Sequence, residues 1–142
     1  MAIVQAVCNS FKQQILEGVH NFATGGNVFK LSLYTSAANL SASTTVYTST
    51  NEVTNTGQYT AGGGALTGQQ TSLDTGVAIV DFADLSFTGV TLTAAGALIY
   101  NTSAANKAVC ALDFGGDKTA TAGTFTIVFP AFTSANAILR IS

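Results

Sequence analysis

The chain has 142 residues, of which 47% are hydrophobic and only 8% charged, and its formal net charge is −2. This composition excludes the usual disordered chain, which is polar and highly charged, and the length suits a single domain. The five basic residues are spread over the whole chain, so the basic cluster that nucleic-acid binding needs is missing.

The low charge also bears on the surroundings of the protein. Copies with so few charges repel one another weakly, so we expect other protein chains to cover much of the surface. The alternative is a compact exported domain with an uncharged polar surface. No apolar run approaches the ~20 residues of a membrane span. The short start Met1–Val7 lacks the basic residues of a secretion signal, which favours synthesis in the cytoplasm and no membrane partner.

The first predicted element is a helix at about residues 9–22. Ser10, followed three residues later by Gln13, suggests a capping box, and Gly25 and Gly26 end the region. His20 would be a partly exposed residue of this helix. The apolar residues that recur at helical spacing are Phe11, Ile15, Leu16, Val19 and Phe22.

From about residue 27 onward, short strands separated by turns are predicted. Ser36–Gln58 is predicted to be a long ordered excursion, and Gly115–Asp117 a turn. Because no helix is predicted after residue 22, parallel crossovers are unfavourable and an antiparallel sandwich, barrel or jelly roll is expected. We predict one β-sandwich or jelly-roll-like domain, residues 1–142, with one N-terminal helix. The predicted strands are Asn27–Thr35, Val46–Thr48, Ala65–Thr67, Val77–Phe82, Val90–Thr93, Ala97–Asn101, Lys107–Phe114, Thr124–Phe129 and Ala137–Ile141.

Side chains that carry out chemistry are scarce. His20 is the single histidine, and no nucleophile motif surrounds any serine or cysteine, so we expect a protein that is not an enzyme. Asp113 and Asp117 could hold calcium weakly, but their spacing better suits a turn, and we expect neither a metal nor a cofactor. Cys8 and Cys110 are predicted to be thiols rather than a disulfide.

Seven residues are candidates for contacts with other chains. The apolar helix face could dock on a neighbour or could simply cover this domain, and tyrosine is enriched at interfaces although each ring could equally be half-buried. The single arginine could cross an interface or pair within its own chain. The candidates are Phe11, Ile15, Val19, Tyr34, Tyr47, Tyr59 and Arg140.

Several stretches, spread along nearly the whole chain, carry a resemblance to a known group of proteins. They are Cys8–Gln13, Leu16–His20, Phe29–Thr35, Asn51–Val53, Tyr59–Gly63, Gly96–Asn101, Asn106–Val109, Leu112–Lys118 and Ile138–Ile141. With these residues the chain resembles small virion structural proteins of tailed bacteriophages. The resemblance implies a component of the phage particle made in the host cytoplasm, and it supplies no site residues.

The role within the particle is a separate inference. Small size, a β fold and a low-charge surface favour a capsid cement or decoration protein that forms homo-oligomers and clamps neighbouring major capsid subunits, since phage cement proteins often have jelly-roll-like folds. A tail, neck or fibre component is the first alternative. A carbohydrate-binding module is the second, although the chain has no tryptophan to stack on a sugar.

Overall fold

The computed structural model describes residues 2–142 and contains eight strands and one α-helix within that range. A short 3-10 turn, Thr102–Ala104, precedes the seventh strand. In chain order the elements are β1 (Ala6–Val7), α1 (Asn9–Leu16), β2 (Phe29–Tyr34), β3 (Gly64–Ala65), β4 (Gln70–Asp74), β5 (Val77–Asp81), β6 (Leu85–Asn101), β7 (Lys107–Ile127) and β8 (Leu139–Ile141).

The strands form two antiparallel sheets. The large sheet has the order β1-β7-β6-β2-β3, and the small sheet has the order β4-β5-β8. Two antiparallel sheets with one short helix confirm the prediction of a mainly β protein and are consistent with a β-sandwich. Since β8 pairs only with β5, and β1 only with β7, each of these strands has one unpaired edge.

The long strands β6 and β7 dominate the large sheet. They pair from Leu85 opposite Ile127 to Asn101 opposite Lys107, with several register shifts along the way. In the half that starts at Leu85, apolar residues point inward and Ser or Thr residues point outward, which is the period-two pattern of a sheet with one wet face. The central strand pair therefore supplies both a core face and a solvent face.

Three local predictions were wrong for reasons visible in the backbone. Gly115–Asp117 lies inside β7 rather than in a turn, because the positive φ angles of Gly115 and Gly116 are absorbed by a bulge opposite β6. Val46–Thr48 makes only an isolated bridge with β7. Two strands, β1 and β4, were not predicted at all; β1 has two residues and β4 is almost entirely exposed.

The helix is shorter than the predicted range of 9–22. It ends at Leu16, because Gly18 adopts a φ of 72° and reverses the chain. Cys8 occupies the N-cap position without a side-chain hydrogen bond, and the Ser10 hydroxyl is buried without a partner, so the predicted capping box does not form. Residues 17–22 instead form a non-helical segment that carries His20 and Phe22 into the core.

Buried apolar side chains from both sheets and from α1 form one continuous cluster. Its largest fully buried members are the tyrosine and phenylalanine rings of Tyr34, Tyr59, Phe29 and Phe82. Among the described residues, no helix has the length and the apolar character that a membrane crossing would require.

Candidate functional site

An apolar groove of about 800 Å³ lies between α1 and the small sheet. On the helix side it is lined by Phe11, Lys12, Ile15 and Leu16. On the sheet side most of the lining residues lie on one face of the small sheet. Register partners point to the same face, and here Thr71, Val80 and Leu139 form one row while Ala78 and Ile141 form the next. A volume of this size is typical of binding sites, which commonly measure about 300–1,000 Å³.

Apolar side chains at the groove are unusually exposed. Leu16 is 88% exposed and Ile141 is 58% exposed, and both line the groove. Leu73, which is 71% exposed, belongs to the same face of the small sheet as Ala78 and Ile141. Large apolar side chains left in water at one place are a mark of an interaction site.

The end of α1 holds Leu16 in its exposed position. The Val19 amide donates to the Gln14 carbonyl at 3.0 Å, and the Gly18 amide donates to the Ile15 carbonyl at 3.3 Å. These two bonds form a Schellman motif, for which the left-handed conformation of Gly18 is required. Leu16 is therefore presented by a fixed turn.

Charge around the groove is sparse but of both signs. Lys12 and Arg140 line it, and both side chains are exposed. Arg140 pairs with Ile79, so its side chain projects from the face of β8 opposite Leu139 and Ile141, and its Nη1 donates to the carbonyl of Ala135 at 2.6 Å. Glu17 lies between the lining residues Leu16 and Gly18 and is also exposed.

The inner wall of the groove contains His20, which is 5% exposed rather than partly exposed as predicted. Asn101 Nδ2 donates to His20 Nδ1 at 3.0 Å, while Asn101 Oδ1 accepts from the Ser103 amide. His20 Nε2 therefore carries the proton and donates to Gln14 Oε1 at 2.8 Å. Burial, with a smaller contribution from the charge of Lys107, lowers the pKa of His20 to about 4.

A second surface is formed by the solvent side of β6 and β7, which we call the hydroxyl face. Cross-strand hydrogen bonds order it, with Ser86 and Thr126 hydroxyls at 2.9 Å and Thr93 and Thr119 hydroxyls at 3.1 Å. Residues 85–93 and 119–127 include no charged side chain. The exposed members of the hydroxyl face are Ser86, Thr88, Thr91, Thr93, Thr119, Thr121, Thr124 and Thr126.

The four tyrosines of the chain gather around Glu52, and we call this group the tyrosine cluster. Tyr47 and Tyr59 donate to the two carboxylate oxygens of Glu52, at 2.5 and 2.7 Å. The Gly62 amide donates to Oε2 of the same carboxylate at 2.6 Å. The Tyr100 hydroxyl donates to the Gly62 carbonyl, and its ring stacks on Tyr47.

The tyrosine cluster fastens the excursion between β2 and β3 to the large sheet. The Tyr34 hydroxyl, on β2, donates to the Thr48 carbonyl at 2.6 Å, and the Leu33 amide donates to the Tyr59 hydroxyl at 2.8 Å. Burial raises the pKa of both phenols, and the nearby Glu52 carboxylate raises them further. The rings are therefore neutral, and their hydrogen bonds hold the excursion against the large sheet.

The structure divides the seven candidate interface residues into two groups. Phe11, Ile15 and Arg140 line the groove, and Val19 is half-buried just beyond it. Tyr34, Tyr47 and Tyr59 belong to the tyrosine cluster, where Tyr34 and Tyr59 are fully buried and offer no side-chain surface to a partner in this state. Sequence reasoning missed Leu16 as an exposed residue, because its helical spacing matches that of the buried side chains.

Other polar side chains have local structural roles. Asp113 Oδ1 accepts from the Gly115 amide at 2.9 Å, and Asp84 Oδ1 accepts from the Phe129 amide at 3.0 Å. Within residues 2–142, no group of three or more His, Cys, Asp or Glu residues is placed to hold a metal ion. Cys8 and Cys110 are free and buried, and burial raises the pKa of Cys8 to about 11.

Comparison with known proteins gave no match to any family model, any curated protein or any solved structure.

Proposed function

We propose that this protein is a structural component of the virion of a tailed bacteriophage, acting as a capsid cement or decoration protein. In this role it binds across neighbouring major capsid subunits and adds buried area that resists the internal pressure of the packaged DNA. The resemblance of its sequence stretches to small phage structural proteins supports the particle assignment. The cement role rests on the surface of the folded chain.

The hydroxyl face is the observation that carries this proposal. Covering a charged surface requires each ion to be desolvated, which costs free energy unless every ion finds a partner. A face made of threonine and serine avoids that cost and can still donate and accept hydrogen bonds across an interface. An extended, ordered and uncharged face is thus suited to permanent contact with a protein neighbour.

Deletion of the gene from the phage tests the role directly. Particles that lack the protein are expected to release their DNA at a lower temperature than wild-type particles, and added purified protein should restore the release temperature. Particles with unchanged heat resistance would contradict the cement role.

Charge placed on the hydroxyl face tests the surface itself. The double variant Thr88→Lys/Thr124→Lys changes two exposed hydroxyl residues of this face and should weaken binding to protein-free capsids at least about tenfold, because two ammonium groups would be buried without partners. Ser43→Lys/Thr54→Lys adds the same charge at exposed positions of the excursion and serves as the control. Equal binding by both variants would exclude the hydroxyl face as the contact.

The same particles separate cement from the two alternatives. Many copies spread over the capsid support the proposal, whereas a few copies at one vertex would assign the protein to the tail or neck. Binding to a glycan array together with absence from the particle would favour a carbohydrate-binding module.

A further inference from the structure

We propose that the free edge of β4 is a self-association site, at which β4 of one copy pairs antiparallel with β4 of a second copy around a two-fold axis at Ser72. The two small sheets, of three strands each, then join into one continuous sheet. The contact goes beyond the proposed function and does not depend on it, because its basis is the backbone of a single strand.

The edge of β4 is open and unprotected. β4 ends the order β4-β5-β8, and residues 70–73 are all exposed. Native proteins usually protect such edges with lysine, proline or a bulge, and the segment 70–73 contains none of these. Beyond Ala111, β7 also lacks a second neighbour in the described sheets, but Gly115, Gly116 and Ala122 interrupt that edge with positive φ angles.

The turn after β4 determines which backbone groups face the free edge. Thr75 and Gly76 form a two-residue turn with φ angles of 50° and 83°, which is typical of a type I′ hairpin. The residues that flank such a turn exchange hydrogen bonds, and hydrogen-bonded pairs alternate along the ladder. Ser72 therefore bonds inward to Ile79, whereas the N–H and C=O groups of Thr71 and Leu73 point outward.

The free edge is bounded at both ends. The Gln69 carbonyl already accepts a hydrogen bond from the Thr24 hydroxyl at 3.2 Å, and the turn begins after Asp74. Within residues 2–142, the outward groups of Thr71 and Leu73 have no such partner. The edge thus fits a short extended strand, and β4 of a second copy has this length and the same outward groups.

A two-fold axis at Ser72 satisfies these groups. Thr71 then faces Leu73 of the second copy, and both exchange hydrogen bonds, at two places related by the axis. Any other centre shortens the pairing, because Thr24 covers one end of the edge and the turn closes the other.

The side chains of β4 are compatible with this register. Leu73, which is 71% exposed, lies diagonally across from Leu73 of the second copy, within reach of its side chain. Asp74 is the only charged residue of the strand, and it faces Gln70 of the second copy rather than another acid. The Gln70 amide can donate to the Asp74 carboxylate, so like charges are not brought together.

The size of the contact indicates a weak dimer. Pairing of two five-residue strands buries less than the roughly 1,200 Å² of a stable interface, so we expect a dissociation constant between about 1 μM and 1 mM. Copies held near one another on a common surface would pair at a much lower bulk concentration.

Sedimentation velocity of the purified full-length protein over a range of concentrations measures the dimer. Thr71→Pro removes an outward N–H group but no hydrogen bond within the small sheet, and should raise the dissociation constant at least about tenfold. Thr71→Val, which keeps the N–H group, is the matched control and should change it less than about threefold. Leu73→Lys places at the edge the residue that commonly prevents strand pairing, and should act like Thr71→Pro.

Disulfide cross-linking tests the register. At the two-fold axis, Ser72 and its copy form a non-hydrogen-bonded pair with Cα atoms about 4.5 Å apart, a separation that a disulfide can span. Ser72→Cys should therefore form a covalent dimer when diamide oxidises the two thiols and takes up their hydrogens. Gln70→Cys, also exposed and on the same face, would lie roughly 14 Å from its copy and should cross-link at least about tenfold more slowly. Wild-type protein, whose two cysteines are buried, gives the background.

Several outcomes would overturn the proposal. A wild-type protein that remains monomeric up to about 1 mM has no such contact. A dimer insensitive to Leu73→Lys and to folded Thr71→Pro, or equal cross-linking of the two cysteine variants, would place self-association elsewhere. A monomer that loses capsid binding on Leu73→Lys would assign the edge to the capsid protein.

Far-UV circular dichroism and the melting temperature establish that each variant is folded. If Thr71→Pro does not fold, Leu73→Lys and the cross-linking rates decide the question. Because no capsids are present in these experiments, their failure and failure of the cement role are distinguishable.

Discussion

At the scale of single residues, His20 makes stability depend on pH. Its neutral ring is buried and hydrogen-bonded on both nitrogens, and its pKa is lowered to about 4, below the ~6.5 of an unfolded chain. Below that unfolded pKa the unfolded state binds the proton more readily than the folded state does. Stability is therefore complete above about pH 6.5 and declines as the pH falls toward 4.

Because His20 is protonated more readily in the unfolded state, we expect the free energy of unfolding, measured in urea, to fall by about 2 kcal/mol between pH 7 and pH 4.5. His20→Gln should have a lower stability at neutral pH and a much flatter pH dependence, because His20 is the only histidine in the chain. A wild-type protein and a His20→Gln variant with parallel pH profiles would contradict this origin of the pH dependence.

Glu52 is the second residue whose removal should be costly. Its carboxylate accepts three hydrogen bonds, from Tyr47, Tyr59 and the Gly62 amide. Glu52→Gln removes the charge and turns one acceptor into a donor that faces other donors, so we expect the free energy of unfolding to fall by about 2–3 kcal/mol. Urea denaturation measures the change.

The matched control for this substitution is Glu17→Gln. Glu17 is the only other glutamate in the sequence and is exposed, and its carboxylate accepts a 3.3 Å hydrogen bond from Gln13 Nε2, so its replacement should change the free energy of unfolding by less than about 0.5 kcal/mol. If both variants lose the same stability, the tyrosine cluster does not depend on the charge of Glu52.

At the scale of elements, two glycines separate backbone strain from close approach. Gly63 and Gly76 have nearly the same φ, 84° and 83°. A Cβ on Gly63 would lie 1.8 Å from the Leu31 carbonyl oxygen of β2, whereas a Cβ on Gly76, in the turn between β4 and β5, would meet nothing within 4 Å. The two positions therefore share a left-handed φ but differ in the space available for a side chain.

Gly76→Ala should lower the free energy of unfolding by about 1 kcal/mol, the cost of a left-handed conformation for alanine. Gly63→Ala should cost more than about 3 kcal/mol or prevent folding, because β2 would have to move. Thermal unfolding of both variants gives the comparison, and equal melting temperatures would mean that the excursion does not approach β2 so closely in solution.

The elements also show what the sequence could predict. The alternation of Phe29, Leu31 and Leu33 with Lys30, Ser32 and Tyr34 predicted β2 close to its actual bounds, and the strand predicted at Val77–Phe82 matches β5. The end of α1 and the course of β7 depend on single glycines with positive φ. Gly18, with positive φ, follows the end of α1, whereas Gly115 and Gly116, also with positive φ, form a bulge inside β7. Which of the two results depends on the strands that surround the glycine.

At the scale of the whole molecule, the same limit applies to the candidate site. Composition alone indicated a surface poor in charge, and helix periodicity indicated Phe11 and Ile15, which do line the groove. The sequence could not indicate that Leu16 stays exposed, because this exposure depends on how α1 lies against β7 and on the early end of the helix. Nor could it indicate that the tyrosines converge on Glu52, because their contacts join distant parts of the chain.

The low charge leads to a prediction for binding. Contacts made through the hydroxyl face involve no ions, so the dissociation constant of the protein from capsids should change less than about threefold between 0.05 and 0.5 M salt. Equilibrium binding at both salt concentrations checks this. A strong weakening by salt would mean that the few exposed charges, and not the hydroxyl face, provide the contact.

The tyrosine cluster has an optical consequence. The chain has no tryptophan, so its near-ultraviolet emission comes from four phenols, and all four lie where the excursion meets the large sheet. Hydrogen bonding of a phenol to a carboxylate or carbonyl quenches its fluorescence. An unlabelled sample therefore becomes brighter when this loop detaches, which lets its detachment be timed separately from the melting of the strands.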